Sequence, residues 1–213
     1  MTHKFATSML SLSLLAGAAC DAQVDAEYRG EPLATLSGEV VALASTSAVN
    51  ASLVWSNFAQ NGDTYLAAEA PVSGEFPAQF TLDVFLPPPT ELLNHFSEDA
   101  DEVALGLAYV VAFPQDYDAT TGETPETPWG ISAGHVLAYV PTDLPAGSLA
   151  AEFAGAALTA GFHVLEVVAA DDPACAQTEG YDCLRPAPAG LSTSITITID
   201  EAAATEELAP NFN

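Results

Sequence analysis

Basic residues are nearly absent from this sequence. Its 213 residues include 3 Lys and Arg against 29 Asp and Glu, which gives a net charge of −26 at pH 7. Lys4 is the one lysine, so beyond the first twenty residues the positive charges are Arg29 and Arg185. Nucleic acids and anionic lipids are bound through clustered Lys and Arg. The sequence therefore argues against both partners, and the mutual repulsion of its acidic surface favours a monomer.

Long hydrophobic runs are also lacking. The uncharged, largely apolar stretch Phe5–Ala19 is too short for a membrane-spanning helix, which needs roughly 20 apolar residues. A secretory signal peptide needs an apolar run of only about 7–15 residues after a positive N-terminal region, and Lys4 supplies that charge. We therefore predict that residues 1–19 are a signal peptide.

Cysteine is scarce, with three residues in the chain, and the first of them, Cys20, directly follows the apolar run. The stretch Gly17-Ala18-Ala19-Cys20 resembles the lipobox of bacterial lipoproteins, although Gly17 stands where that family usually has Leu. The resemblance implies that Cys20 is lipidated, becomes the mature N-terminus and attaches the protein to a lipid bilayer. It also implies an extracytoplasmic location on the bacterial cell envelope, with the outer membrane favoured over the inner.

The alternative for the leader is ordinary cleavage after Ala16-Gly17-Ala18, which would leave Cys20 as a spare thiol. We favour lipidation because of cysteine parity. If Cys175 and Cys183 pair with each other, Cys20 is the odd cysteine, and a free thiol is poorly suited to an oxidising compartment.

The rest of the chain is predicted to be all-β. Alternating apolar and polar residues recur in short segments, most clearly in Glu75–Phe85, and this period of two is typical of strands packed on one face. We predict a single antiparallel β-sandwich of about eight or nine strands, immunoglobulin-like or transthyretin-like, over residues 35–200. Residues 20–34 are predicted to be a lipidated tether, and residues 201–213 an acidic tail.

Three segments are less regular. Thr90–Phe96 is predicted to be a short helix with Thr90 as N-cap. Ala150–Phe153, within an Ala-rich stretch, is predicted to be a strand. Pro114–Gly134 has no periodicity, and a loop of about twenty residues in a compact domain is usually functional or mobile.

Cys175 and Cys183 are predicted to form a disulfide. Export favours such a bond, and closing so short a loop stabilises the fold by about 2.5 kcal/mol in the chain-entropy estimate. A metal site or a redox motif would require a C-x-x-C spacing or a nearby histidine, and the sequence has neither here.

Asp116, Asp118 and Glu123 are weak candidates for calcium ligands. Oxygen-bearing side chains at alternate positions resemble the start of an EF-hand loop. The glycine, however, falls at position 7 rather than 6, and position 12 is Thr127 instead of a bidentate Glu. We favour a solvated polar loop, and we assign no metal and no cofactor.

No motif specific to an enzyme is present. The sequence contains no P-loop, no dinucleotide fingerprint and no His-Glu-x-x-His. Gly130–Gly134 has the spacing Gly-x-Ser-x-Gly, but that pattern indicates a hydrolase only on a turn from a strand into a helix, which an all-β chain does not predict. His135 and His163 lie on predicted strands and could meet across the sandwich, with His163 facing inward as a hydrogen-bonded core residue. Trp129, in the long loop, is the aromatic residue best placed to contact a sugar.

The leader and the tract Ser37–Ile199 together resemble β-rich envelope lipoproteins for which no activity is known, with segments Gly134–Val140 and Gly161–Leu165 similar to their strands. The resemblance implies a non-catalytic, membrane-anchored envelope lipoprotein that acts as a surface binding or structural module, with no nucleic-acid partner and with an undetermined protein or glycan partner. One alternative is a calcium-stabilised adhesion-type module. Another is a hydrolase of unrecognised type, which would need a nucleophile or a carboxylate pair beside His135 or His163.

Overall fold

The computed structural model describes residues 29–43, 48–57, 64–98, 101–115, 128–175 and 182–200. The predicted signal peptide, Cys20, the three calcium candidates Asp116, Asp118 and Glu123, and the acidic tail lie outside these ranges. Those predictions stay predictions.

Strands dominate the described residues, and the predicted all-β class is confirmed. The eleven strands are β1 Ala34–Ala42, β2 Val49–Ser56, β3 Thr64–Val72, β4 Ala78–Val84, β5 Leu93–Glu98, β6 Asp101–Pro114, β7 Gly130–Ile131, β8 His135–Val140, β9 Gly161–Val168, β10 Cys183–Pro186 and β11 Ser194–Ile199. One α-helix, α1 at Leu149–Phe153, occurs in the described ranges, and none of their helices is long or apolar enough to cross a membrane.

Hydrogen bonds join these strands in one mixed sheet. Its main path runs β10-β9-β8-β6-β7-β11-β1-β4, while β2 and β5 pair with β6, and β3 pairs with β2. The β1–β11 pair is parallel. The predicted antiparallel sandwich of eight or nine strands is therefore not confirmed in its details, because the strands are more numerous, mixed in direction and continuous in hydrogen bonding.

The two-residue strand β7 connects the two halves of the sheet. Ile131 pairs with Val111 of β6 on one side and with Thr198 of β11 on the other. The sequence does not predict β7 or the four-residue β10, because both strands are too short to display an alternating pattern of apolar and polar residues.

Strand β6 is the centre of the fold and has apolar residues on both faces, as its sequence indicates. One face contributes Ala108, Val110 and Ala112 to a core that also receives inward residues of β1, β4 and β11, such as Leu36, Leu82 and Ile197. These strands are not neighbours of β6 in the sheet, so the sheet curves to enclose this core.

The opposite face of β6 belongs to a second core. Leu105, Leu107 and Tyr109 pack there with Leu144, Ala150 and Leu158 from residues 144–158, which include α1 and are called the α1 segment. The α1 segment thus covers the outside of the sheet and creates the concave surface described below.

Two predicted elements are wrong. Thr90–Phe96 is not a helix: a 3-10 turn spans Thr90–Leu92 without a side-chain cap, and the following residues form β5, which pairs with β6. Ala150–Phe153 is not a strand but lies in α1. Its alanines favour helix once Ser148 caps the start, and their small side chains are buried in the second core.

Candidate functional site

A groove of about 830 Å³ lies between the α1 segment and strand β10. Most of its lining is apolar. The lining residues are Phe96, Ala146, Gly147, Leu149, Ala151, Glu152, Phe153, Gly155, Ala156, Ala157, Cys175, Cys183, Leu184 and Arg185. Its volume falls within the range of about 300–1,000 Å³ that is typical of small-molecule sites.

Local hydrogen bonds shape the wall that carries α1. Ser148 Oγ accepts from the Ala151 amide at 3.2 Å, which caps α1. The Leu144 amide donates to the Leu158 carbonyl at 2.7 Å and thereby closes the segment into a loop. The Asp143 carboxylate accepts from the Ala160 amide at 2.7 Å. These bonds fix the wall although it contains little regular secondary structure.

Gly155 brings this wall against strand β10. A Cβ atom at this position would lie 2.0 Å from the Leu184 carbonyl oxygen, closer than any side chain can approach. Its φ of +71° is also in the left-handed region, which favours glycine. Because only glycine meets both conditions, Gly155 sets the spacing between the two walls.

The groove is apolar within and carries charge at its rim. The Phe96 and Phe153 rings pack with their centroids 5.3 Å apart, and Leu149 remains 38% exposed. Glu152 is exposed, and Arg185 is one of the few cations of the chain. Such a surface suits an apolar group bound by contact.

The predicted disulfide is confirmed and borders the groove. Cys175 and Cys183 are joined, with their Cα atoms 5.6 Å apart, and both residues contribute to the lining. The bond ties the 3-10 turn Pro173–Cys175 to the start of β10, so it holds the edge strand that forms one wall.

A row of ionisable residues crosses three strands beside the groove. Arg185 on β10 pairs with Glu166 on β9, and Glu166 pairs in turn with His135 on β8. Arg185 Nε donates to Glu166 Oε2 at 3.0 Å. This hydrogen bond lowers the pKa of Glu166 below its usual value of 4.5, and it raises the pKa of Arg185.

His135 and His163 do not meet. His163 pairs with Ala138, three positions along β8 from His135, so the two imidazoles lie on opposite faces of the sheet. The His163 Nε2 atom is hydrogen-bonded to the Thr159 carbonyl at 2.7 Å. The prediction of a hydrogen-bonded His163 is therefore confirmed, but its side chain is half-buried rather than in the core.

The two tryptophans serve packing. Trp55 is 1% exposed, with its ring centroid 6.3 Å from that of Phe162. Trp129 is half-buried against the first core, and its backbone bonds to Ala112 and Asp200. Trp129 therefore packs against the first core and does not line the groove.

No cluster of three or more His, Cys, Asp or Glu side chains with metal-binding geometry occurs among the residues the structure describes. The calcium candidates Asp116, Asp118 and Glu123 fall outside that part of the chain, so their role stays a prediction.

The groove itself is the feature that sequence reasoning missed. Its walls come from an Ala- and Gly-rich stretch and from a four-residue strand, neither of which shows a periodic pattern. The available signal was Ser148 followed by Leu-Ala-Ala-Glu, a capping residue before good helix formers.

Comparison of the chain with protein-family models, with curated proteins and with solved structures finds no match.

Proposed function

We propose that the protein is an exported, lipid-anchored envelope protein whose β-domain binds a partner and catalyses no reaction. The observation that carries the anchor is the Cys175–Cys183 disulfide. Disulfides persist in oxidising compartments, which supports export. The chain has three cysteines, so this bond leaves Cys20 with no partner for an intrachain disulfide and available for acylation.

The test is the Cys20→Ser variant, expressed in a bacterium that processes lipoproteins. We expect the wild-type protein to take up an alkyne-tagged fatty acid and to sediment with membranes, and the variant to do neither. The matched control is the double variant Cys175→Ala/Cys183→Ala, which should keep both the label and the membrane fraction. A Cys20→Ser protein that still sediments with membranes would contradict the proposed anchor.

We further propose that the groove between α1 and β10 is the binding surface of this module. Its apolar lining, its volume of about 830 Å³ and the exposed Leu149 support the proposal. The neutral dye Nile red is a suitable probe because an acidic protein repels anionic dyes. We expect Leu149→Gln to weaken dye binding severalfold, because the dye can cover only the exposed 38% of a side chain whose full burial contributes about 1.5–3 kcal/mol.

The control for this experiment is Leu43→Gln. Leu43 is 68% exposed and lies outside the groove lining, so its substitution removes a similar apolar surface elsewhere. Equal loss of dye binding in both variants, or in neither, would contradict the assignment of the groove.

A further inference from the structure

One end of the β1–β4 pair carries exposed apolar side chains beside a polar stretch of the same face. The polar stretch consists of the outward side chains Thr35, Ser37, Glu39, Gln79, Thr81 and Asp83. At the end where β1 begins, Leu33 is 52% exposed and Leu86 is 70% exposed. The Leu33 amide donates to the Val84 carbonyl at 2.7 Å, which places Leu33 beside the end of β4. We call Leu33, Phe85 and Leu86 the apolar end.

A positive charge accompanies the apolar end. The Arg29 guanidinium lies over the Phe85 ring, 5.9 Å from its centroid. Arg29 and Arg185 are the two cations beyond the leader, so one of them stands beside this patch. An arginine next to exposed leucines matches the boundary of a lipid bilayer, where the stem contacts acyl chains and the charge stays at the phosphates.

The position of the apolar end fits an anchor at Cys20. The nine residues 20–28 separate that cysteine from Arg29 and span at most about 30 Å when fully extended. The opposite end of β1, marked by the exposed Leu43, lies about 33 Å further away at the rise of a strand. An acyl group on Cys20 would hold the apolar end close to the bilayer and Leu43 away from it.

We propose that the apolar end rests on the surface of the bilayer and orients the domain with strand β1 pointing outward. This proposal rests on the proposed lipid anchor. Three apolar side chains are too few to hold the protein on a membrane alone, so they set orientation and the acyl chains supply affinity. Two exposed carboxylates lie close along the chain to the apolar end, Glu31 near Leu33 and Glu91 near Leu86, and they make a zwitterionic surface a better fit than an anionic one.

The experiment places an environment-sensitive thiol probe at each end of the domain. Leu86→Cys and Leu43→Cys are suitable because both leucines are exposed, 70% and 68%, and the other cysteines are acylated or disulfide-bonded. The mature acylated proteins are incorporated into phosphatidylcholine vesicles that contain a lipid with a quencher near the headgroup. We expect the probe at position 86 to shift to the blue and to lose about half its emission, while the probe at position 43 does not change.

Mass spectrometry of the same samples shows whether Cys20 carries acyl chains, and so distinguishes failure of the proposed orientation from failure of the proposed anchor. Equal responses at positions 86 and 43, or a stronger response at 43, in a protein that carries acyl chains would overturn the orientation and leave the anchor intact. A mature protein without acyl chains that stays in the supernatant would overturn both proposals.

Discussion

Two buried serines show how differently the same side chain can act in this fold. Ser52 and Ser132 are both 0% exposed. The Ser132 hydroxyl accepts from the Val110 amide at 3.3 Å and donates to the His135 carbonyl at 2.9 Å, which ties β6 to the start of β8. The Ser52 hydroxyl has no hydrogen-bond partner in the part of the chain that the structure describes.

Substitution to alanine should therefore have unequal effects on the two serines. We expect Ser132→Ala to lower the free energy of unfolding by about 1–3 kcal/mol, because it leaves the buried Val110 amide and the partly buried His135 carbonyl without their partner. Ser52→Ala should be neutral or stabilising, since it removes a polar group that is buried without compensation. Urea unfolding of both variants measures the difference, and a larger loss for Ser52→Ala would contradict the described hydrogen bonds.

The ion pair on β9 and β10 gives a pH dependence whose sign follows from the structure. The Arg185 hydrogen bond lowers the pKa of the Glu166 carboxyl in the folded state. A lowered folded-state pKa contributes stability that is present above the unfolded-state value, and that is lost as the pH falls through the folded-state pKa. Because the side chains of Arg185 and Glu166 are 48% and 32% exposed, solvent screens the pair and the contribution is small, so the carboxyl titration is a better readout than stability.

NMR titration of Glu166 provides the measurement. We expect a pKa below the usual glutamate value of 4.5 in the wild type and a return towards that value in Arg185→Gln. The control is Arg29→Gln, which removes the other cation and should leave the Glu166 titration unchanged, because Arg29 contacts Phe85 instead. An unchanged titration in Arg185→Gln would show that the ion pair does not form in solution.

At the scale of elements, the close approach of the α1 segment to β10 requires Gly155, because any side chain at this position would collide with β10. Gly155 and Gly147 both have positive φ, +71° and +83°, but an added Cβ at Gly147 would meet open space, whereas one at Gly155 would meet the Leu184 carbonyl. Gly147 is thus a matched control that separates backbone strain from steric contact.

We expect Gly147→Ala to lower the free energy of unfolding by about 1 kcal/mol, the usual cost of a left-handed alanine. Gly155→Ala should lower it by several times as much, because β10 or α1 must also move, and it should weaken Nile red binding in the groove as well. Denaturant unfolding and dye titration of the two variants test this. Equal unfolding energies would mean that the α1 segment does not approach β10 as described.

Strands long enough to show alternating apolar and polar residues could be predicted from the sequence. Elements that depend on contacts between distant residues could not. The strands predicted for His135 and His163 are present as β8 and β9, and the alternation in Glu75–Phe85 predicted β4. Thr90–Phe96 was misassigned because pairing of Leu93–Glu98 with β6 outweighs local helix signals. The groove could not be predicted because its geometry depends on Gly155 against Leu184, a contact between residues far apart in sequence.

At the scale of the whole molecule, the charge distribution sets how the domain responds to salt. The net charge is −26 with three Lys and Arg in the sequence, and the Arg185–Glu166 pair is partly exposed to solvent. Added salt therefore mainly screens the repulsion between carboxylates, and it weakens little attraction between opposite charges. We expect about 0.5 M NaCl to raise Tm by about 3 °C or more, which corresponds to about 1 kcal/mol for a chain of this size.

The same melting experiment distinguishes general screening from a specific calcium site at Asp116, Asp118 and Glu123. If these residues form a solvated polar loop, CaCl₂ and NaCl at equal ionic strength should raise Tm equally, since screening depends on ionic strength. A bound ion would add a further rise at millimolar calcium, because a ligand that binds only the folded state stabilises it by mass action. Loss of that further rise in Asp116→Asn/Asp118→Asn would favour the calcium-stabilised adhesion module, whereas matching curves for the two salts would exclude it and leave the acidic surface as a solvated one.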